Sequence, residues 1–378
     1  MNKIKIGITG QSGFIGYHLY NRIKLNEYFE LINFDKSFFE NESAFDTFVL
    51  SCDCIVHLAG VNRADSDELL YNKNIELSQK LIDACIRTKH FPHIMFSSSS
   101  QEKNDNAYGK AKRMCRTLFT EFAKKYKSTF TAFIIPNVFG EFCRPNYNSV
   151  VATFAHRLIT NETPQIIQDT SVPFMHVASL CDIIITNIKN SFAEKNACIK
   201  NIFVPEDFTL KVSSLLDLFQ YFFETYFKCG IIPVLKNKND INLFNTFRSY
   251  IPLEKYFPVL LKKHTDERGC FIETAKLGIG GQVSFSTTVP GITRGNHFHT
   301  RKIERFTVIK GKAKIELRKI GSDNVYSFLL DGDNPSYVDM PCWYTHNITN
   351  IGDEDLYTQF WINEFYNPDD ADTFYEKV

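Results

Sequence analysis

Long apolar runs are missing. No stretch approaches the ~18 consecutive apolar residues that cross a bilayer, and the opening residues MNKIKIGITG follow a strand pattern from residue 3, which leaves no charged-then-apolar leader. The protein is therefore expected to work in the cytoplasm, without membrane insertion. An excess of either charge is missing too. Forty-three basic side chains face 43 acidic ones, so no net field favours nucleic acid or anionic lipid as a partner. The ten cysteines include no CxxC pair and stand singly in apolar surroundings, such as Cys54 in CIVHLAG and Cys85 in LIDACI. That spacing predicts buried, reduced thiols rather than disulfides. Internal repeats and low-complexity tracts are also lacking.

What remains is a chain of 378 residues, too long for one ordinary core and better divided into two domains. Up to about residue 210, short β runs (IKIGIT, FELINF, CIVHLAG, HIMFSS, TFTAFIIP) alternate with segments of helical apolar spacing. Regular strand-helix alternation predicts an α/β Rossmann-like parallel sheet with right-handed crossovers. From about residue 250 the texture changes to short strands divided by Gly, Asn and Asp turns: GQVSFSTTV, RFTVIKGKAKIELRKIG, VYSFLL and LYTQFWINEF. That is the pattern of an all-β barrel or jelly roll. The intervening LKNKNDINLFNTFRSYIPLEKYFP has no clear period. The expected domains are 1–246 and 247–378.

The first strand runs into GITGQSGFIGYHL. Gly10, Gly13 and Gly16 stand three apart at a strand-to-helix turn, where missing side chains let backbone N–H groups and a helix N-terminus approach a pyrophosphate. Asp35, read as the end of the second strand 19 residues after Gly16, is placed to bind an adenosine ribose 2′-OH, which favours NAD. Lys36 beside it suits the 2′-phosphate of NADP, so both nicotinamide cofactors stay open.

Further on, YGKAK places Tyr108 and Lys112 at i and i+4 on one helix face. A lysine there is expected to lower the pKa of the phenol and ready it for proton transfer during hydride transfer. Tyr20 and Lys24 have the same spacing, but they follow the glycine turn. Tyr108 instead follows the strand end HIMFSSSS, at the carboxyl edge where open α/β sheets place their ligands. Ser99 is the chosen partner of the reacting oxygen.

The C-terminal part carries different chemistry. In GNHFHTRKIERF, His297 and His299 sit at i and i+2 of a strand and share a face. The spacing continues from Gly291 through His297, His299 and Glu304 to Gly311, and PCWYTHNITN adds His346. Three imidazoles and a carboxylate from separate strands make a metal site with coordination positions left open. Zinc is the expected ion; iron, manganese and nickel also suit the donors. Tyr344, Lys302 and His264 are the candidates for proton movement beside it.

The TGxxGxxG pattern at 9 to 16, HLAG at 57 to 60, the serine run and the YxxxK pair resemble the extended short-chain dehydrogenase/reductase family over residues 1 to 245. The resemblance implies nicotinamide cofactor contacts from Gly10, Gly13, Phe14, Ile15, Gly16, Asp35, Lys36, Leu58, Ala59, Gly60, Tyr108 and Lys112, with Ser99, Tyr108 and Lys112 as catalytic residues; PNVFGEFCRPNYNSVVATF falls where such enzymes bind substrate, which makes Asn137 and Arg144 candidates for sugar hydroxyls and phosphate. Tyr108 follows Ser99 by only nine positions, which is short for that family and removes a loop beside the sugar site. The histidine blocks match the two cupin motifs, except that Trp343 stands where glycine is usual. With DERG at 266 to 269 and GQVSFS at 281 to 286, that region is similar to sugar epimerases of the cupin class.

In this fused order, the whole chain resembles the capsular polysaccharide assembling protein CapF family, most tellingly in HLAGVNR, PNYNSVVATF, PGITRGNHFH and YTHN. The resemblance implies a homodimeric bifunctional enzyme acting on a UDP-linked 4-keto-2-acetamido-2,6-dideoxy sugar. The cupin would epimerise C3 and the reductase would then reduce the C4 ketone with NADPH. Two other readings are a reductase whose cupin only dimerises or senses a ligand, and a metal-dependent oxygenase fused to a reductase.

Overall fold

The computed structural model describes residues 3–193, 198–266, 269–272, 274–278, 280–364 and 367–378, with backbone only at 264–266 and 269–272. Two compact units emerge: Met1–Ser149 with Thr170–Lys211, and Val150–Asp169 with Val212–Val378. By packing, the second unit starts well before the expected boundary at 246/247. The helices α5 (Val150–Ile159), α7 (Val212–Phe222) and α8 (Lys238–Arg248) pack on one another and belong to it.

The first unit is built on six parallel strands: β1 (Ile4–Thr9), β2 (Phe29–Ile32), β3 (Cys54–His57), β4 (His93–Ser99), β5 (Phe130–Ile135) and β8 (Ile199–Phe203). Their order is β2-β1-β3-β4-β5-β8, so the direction of winding switches between β1 and β3, and a crevice for ligand opens there at the carboxyl edge. The strands read as continuous apolar runs because both faces are covered. Ile55 faces one core with Phe45 and Phe48 of α2 (Glu42–Leu50), Leu81 of α3 (Asp67–Thr88) and Phe119 of α4 (Ala107–Tyr126). Its neighbours Cys54 and Val56 face the other, with Leu19 of α1 (Phe14–Lys24) and Leu180 of α6 (Val177–Ala193). A smaller sheet joins β6 (Asn137–Phe139), β7 (Ser171–His176) and β9 (Phe208–Lys211). Among the described residues nine cysteines are free thiols, seven of them buried.

In the second unit two five-stranded antiparallel sheets enclose one core. The first orders β11 (Val259–Leu260), β20 (Ser336–Met340), β17 (Glu304–Lys310), β22 (Leu356–Ile362) and β15 (Gln282–Thr288). The second orders β19 (Val325–Asp331), β18 (Lys312–Lys319), β21 (Tyr344–Asn350), β16 (Thr293–Phe298) and β23 (Phe374–Tyr375). This is the expected cupin-like jelly roll. Inward positions alternate along each strand, so Ala313, Ile315 and Leu317 from one sheet meet Phe306, Val308 and Val338 from the other. Short ladders pair β10 (Ile231–Ile232) with β14 (Lys276–Leu277) and β12 (Lys263–Asp266) with β13 (Gly269–Ile272). The DERG motif and the His264 side chain lie outside the described residues.

The segment without a clear period contains α8 and a short α9 (Leu253–Tyr256). Asn237 caps α8, its side chain accepting from Asn239 N at 2.8 Å and Asp240 N at 3.0 Å. Within this unit Arg305 forms a buried bidentate pair with Asp339 at 2.8 and 3.1 Å, and Arg248 and the Tyr226 hydroxyl close on the same carboxylate.

Candidate active site and candidate metal centre

The glycine turn is built by close approach. Gly10 adopts φ +79°, and a Cβ on Gly16 would lie 2.1 Å from the Gly10 carbonyl oxygen, so only glycine permits the turn. Gly13 is the N-cap of α1, and no side chain caps that helix end. Phe14 and Ile15 open the helix, and their hydrophobic side chains pack against the core beneath. At the end of β3, Leu58 N donates to Thr9 O at 3.1 Å and Ala59 N to Thr9 Oγ1 at 3.4 Å, which draws the HLAG loop against the turn. Gly60 is held by Asn74, which grips Val61 N and Val61 O at 3.1 and 2.9 Å. A cradle that any Cβ would fill, open at an uncapped helix N-terminus, fits a dinucleotide pyrophosphate.

The second strand stops at Ile32, so Asp35 does not end it. Asp35 instead caps the 3-10 turn Lys36–Glu40, and its Oδ1 accepts from Ser37 N at 2.8 Å and Ser37 Oγ at 2.5 Å. Those hydrogen bonds hold the carboxyl below its usual range. Both Asp35 and Lys36 are exposed, and both nicotinamide cofactors remain compatible.

The strand end of β4 assigns its serines to different tasks. Ser97 Oγ donates to His57 O at 3.3 Å. The Ser98 hydroxyl donates to Glu102, which is itself clamped by Arg116 at 2.7 Å. Ser99 Oγ accepts from Gln101 N at 3.2 Å and is close enough to the Tyr108 phenol to lower its pKa, so it is the serine that addresses the phenol. Burial outweighs that effect and pushes Tyr108 up to about 12. The expected lowering by Lys112 is not what dominates. Lys112 is buried, donates from Nζ to Ser97 O at 2.9 Å, and lies 5.8 Å from the Tyr108 ring centroid. Burial pulls its own ammonium down to about 8. Its Nζ also stands 3.6 Å from where a Cβ of Gly60 would lie, so it reaches the cofactor loop. Tyr20 of the second Tyr-Lys spacing has its hydroxyl 3.4 Å from Asn33 Oδ1.

Asn137 and Arg144 are both exposed. Asn137 Nδ2 reaches Pro173 O at 3.5 Å, and the Arg144 guanidinium lies 5.1 Å from the Tyr147 ring centroid. Arg63, in HLAGVNR, approaches the same ring at 5.3 Å, and Tyr147 is near enough to raise the Tyr108 pKa. Sequence reading passed over Arg63 and Tyr147; their only signal was a basic residue after the HLAG turn and an aromatic one after Arg144.

In the barrel the structure brings His297, His299, Glu304 and His346 together, with one ligand atom of each within 4.8 Å of the others. A bulge between Gly295 and His297 sets the register of β16 against β21. Gly295 takes φ +100°, and a Cβ there would lie 2.7 Å from His346 O. Glu304 Oε2 stands 3.2 Å from His299 Nε2 and 3.1 Å from His346 Nε2. These three buried atoms have no hydrogen-bond partner. Such orphaned donors converging from separate strands are costly unless an ion satisfies them; the set fits a divalent metal such as zinc. Burial opposes the Glu304 charge, but the His299 and His346 imidazoles beside it outweigh burial and hold the carboxyl well below its usual range. Burial pulls His297 down to about 4, with His346 and His299 adding to the effect.

Outer contacts orient the ligands. The Asp372 carbonyl lies 2.5 Å from His299 Nδ1, which must therefore be the protonated nitrogen, leaving Nε2 for a metal. The Asp372 carboxylate accepts from Thr300 N, Arg301 N and Lys302 N at 2.9 to 3.2 Å. Nothing in the sequence near the histidines points to a residue 73 positions from His299. Trp343 adopts φ +64°, the conformation that explains glycine as the usual residue there. Its ring stacks on Phe298 at 5.7 Å.

Two family models match, the NAD dependent epimerase/dehydratase family over residues 6–202 and the polysaccharide biosynthesis C-terminal domain over residues 264–374. The chain is 31% identical over 371 residues to a UDP-2-acetamido-2,6-beta-L-arabino-hexul-4-ose reductase of Pseudomonas aeruginosa, covering 98% of both chains. It is 33% identical to the capsular polysaccharide assembling protein CapF of Staphylococcus aureus, with a TM-score of 0.61 over 99% of this chain and 100% of that one. A UDP-N-acetylglucosamine 4-epimerase of Methanobrevibacter ruminantium M1, 19% identical, shares the fold over 66% of this chain and 99% of its own, with a TM-score of 0.54. On that full-length match and on its N-terminal part, the chain belongs to the CapF family and, through residues 6–202, to the NAD dependent epimerase/dehydratase family.

Proposed function

We propose that the protein is a bifunctional nucleotide-sugar enzyme of surface-polysaccharide synthesis. The barrel epimerises C3 of a UDP-4-keto-2-acetamido-2,6-dideoxyhexose, and the parallel-sheet unit reduces the C4 ketone with NADPH. The product is a UDP-N-acetyl-6-deoxy-L-talosamine-type precursor. The observation that carries this reading is the presence in one chain of a Ser99–Tyr108 pair at a sheet's carboxyl edge and a three-histidine, one-glutamate cluster in a barrel. The named substrate of the Pseudomonas relative, a UDP-linked hexul-4-ose, supports a ketone at C4. Work in the cytoplasm as a homodimer belongs to the same proposal.

In the reductase, the nicotinamide supplies hydride when bound. Tyr108, protonated up to about pH 12, donates its phenolic proton to the oxygen that was the ketone. Ser99, beside Tyr108, hydrogen-bonds the same oxygen and holds it in position. Lys112, anchored on Ser97 O, places its ammonium beside the cofactor loop at Gly60.

In the barrel, a bound metal supplies Lewis acidity to the ketone oxygen and so acidifies the neighbouring C–H bond. His297, His299, Glu304 and His346 would hold it. Epimerisation beside a ketone requires that ketone, and reduction afterwards locks the new configuration, so the two activities have a chemical reason to share a chain.

The test uses His297→Ala, Glu304→Ala and Tyr108→Phe. The first two are expected to stop epimerisation and the third to stop reduction while proton exchange continues. Epimerisation that survives in both ligand variants would sink the metal assignment.

A further inference from the structure

Of the proton-moving candidates, Lys302 is buried and donates from Nζ to the Ala371 carbonyl at 2.6 Å. Tyr344 remains on the inner wall. The strand register adds a residue that the motifs did not.

Strands β18 and β21 pair with Leu317 opposite His346 and Lys319 opposite Tyr344. Directly opposed residues of an antiparallel pair share a face, as do residues two apart on a strand. Leu317 is fully buried in the barrel core and His346 is in the metal cluster. Lys319 and Tyr344 therefore stand on the same inner wall, one step beyond His346 and away from the core residues Ile315 and Ile348. The intervening residues point the other way. Arg318 Nη2 donates to Glu376 Oε1 at 3.0 Å and to Lys377 O at 2.6 Å, and Thr345 Oγ1 donates to Glu376 O.

We propose that Lys319 is the proton-transfer group of the barrel reaction, contacting the sugar held at the four-ligand cluster. This rests on the epimerase reading above. The Lys319 amine takes the proton from the carbon beside the ketone. The C–H bond breaks and an N–H bond forms, while the electron pair becomes the C=C bond of an enolate whose charge rests on the former ketone oxygen. Water protonates that carbon from the opposite face, giving the epimer, and Lys319 releases its proton to solvent. Burial lowers the ammonium's pKa, which suits a lysine that must spend time as a free amine.

The experiment compares wild-type protein with Lys319→Met and Lys319→Arg in D2O. It follows deuterium entry beside the ketone of the UDP-linked 4-keto sugar by NMR and measures bound zinc by elemental analysis. The expected result is full zinc content in all three proteins and an exchange rate lower by about 100-fold or more in both variants, because a guanidinium cannot act as a base. Exchange at the wild-type rate in Lys319→Met overturns the inference. So does exchange restored in Lys319→Arg, which would make the residue a charge and not a base, and so does loss of zinc from both variants. Wild-type protein without any exchange would instead overturn the epimerase reading on which the inference rests.

Discussion

Lys112 Nζ donates to the Ser97 carbonyl at 2.9 Å, so the ammonium sits under the end of β4, 5.8 Å from the centre of the Tyr108 ring. Its desolvation has a thermodynamic signature. The folded pKa, about 8, lies below the ordinary 10.5, so between those values the unfolded chain binds more protons and stability rises with pH. From pH 7 to 9.5 this single group contributes roughly 2 kcal/mol of added stability. Urea unfolding of wild-type protein and Lys112→Met at the two pH values checks it: the variant should lack the rise.

The Gly16 position predicts a cofactor-specific defect. Its Cβ would meet backbone atoms of Gly10 and Gln11 at 2.1 to 2.9 Å, which cannot move aside as a flexible side chain can. A saturating nicotinamide cofactor at a hundredfold its Kd should stabilise wild-type protein by about 2.7 kcal/mol. Gly16→Ala should show no such gain in a thermal shift assay. Gly280→Ala, where a Cβ meets nothing within 4 Å, should behave as wild type.

Asp372 is predicted to matter to the metal without touching it. Its carboxylate collects the N–H groups of residues 300 to 302 while its carbonyl fixes His299. Asp372→Ala should weaken zinc binding about 10- to 100-fold, measured by competition with a chromogenic chelator. Unchanged affinity would mean that the barrel holds His299 in place without it.

Asp339 is the carboxylate between two buried guanidiniums, Arg305 and Arg248. Removing it leaves both cations in the interior without a counter-charge. Asp339→Ala should cost about 3–5 kcal/mol in chemical unfolding. Its carboxyl is held below the usual range despite burial, chiefly by Arg305. The stability it contributes is therefore present above pH 4 and lost as acid protonates it.

Much of this was legible in the sequence because alternation and motif spacing are local. The strand run IKIGIT coincides with β1, and the HxH and YTHN blocks mark three of the four cluster residues directly. The helix α8 was not legible as one, because Asn242, Asn245, Thr246 and Arg248 are buried along with Leu243, Phe244 and Phe247, which erases the apolar stripe. Lys319 was legible in principle. In KAKIELRK it occupies the apolar phase of a strict alternation, but beside Arg318 at a strand end it passes for a solvated charge. The Lys112–Ser97 contact and the Asp372 carbonyl depend on how distant segments meet, and no local pattern encodes them.

The central claim, that carbon-acid chemistry resides in the barrel, is tested most directly by NMR in D2O with the UDP-linked 4-keto-6-deoxy sugar and no nicotinamide cofactor. The account predicts deuterium entering beside the ketone, and the exchange disappearing when a chelator strips the His297, His299, Glu304 and His346 cluster. No exchange in the metal-replete protein, with NADPH still oxidised once it is added, would contradict it and leave a ketosugar reductase with a non-catalytic barrel.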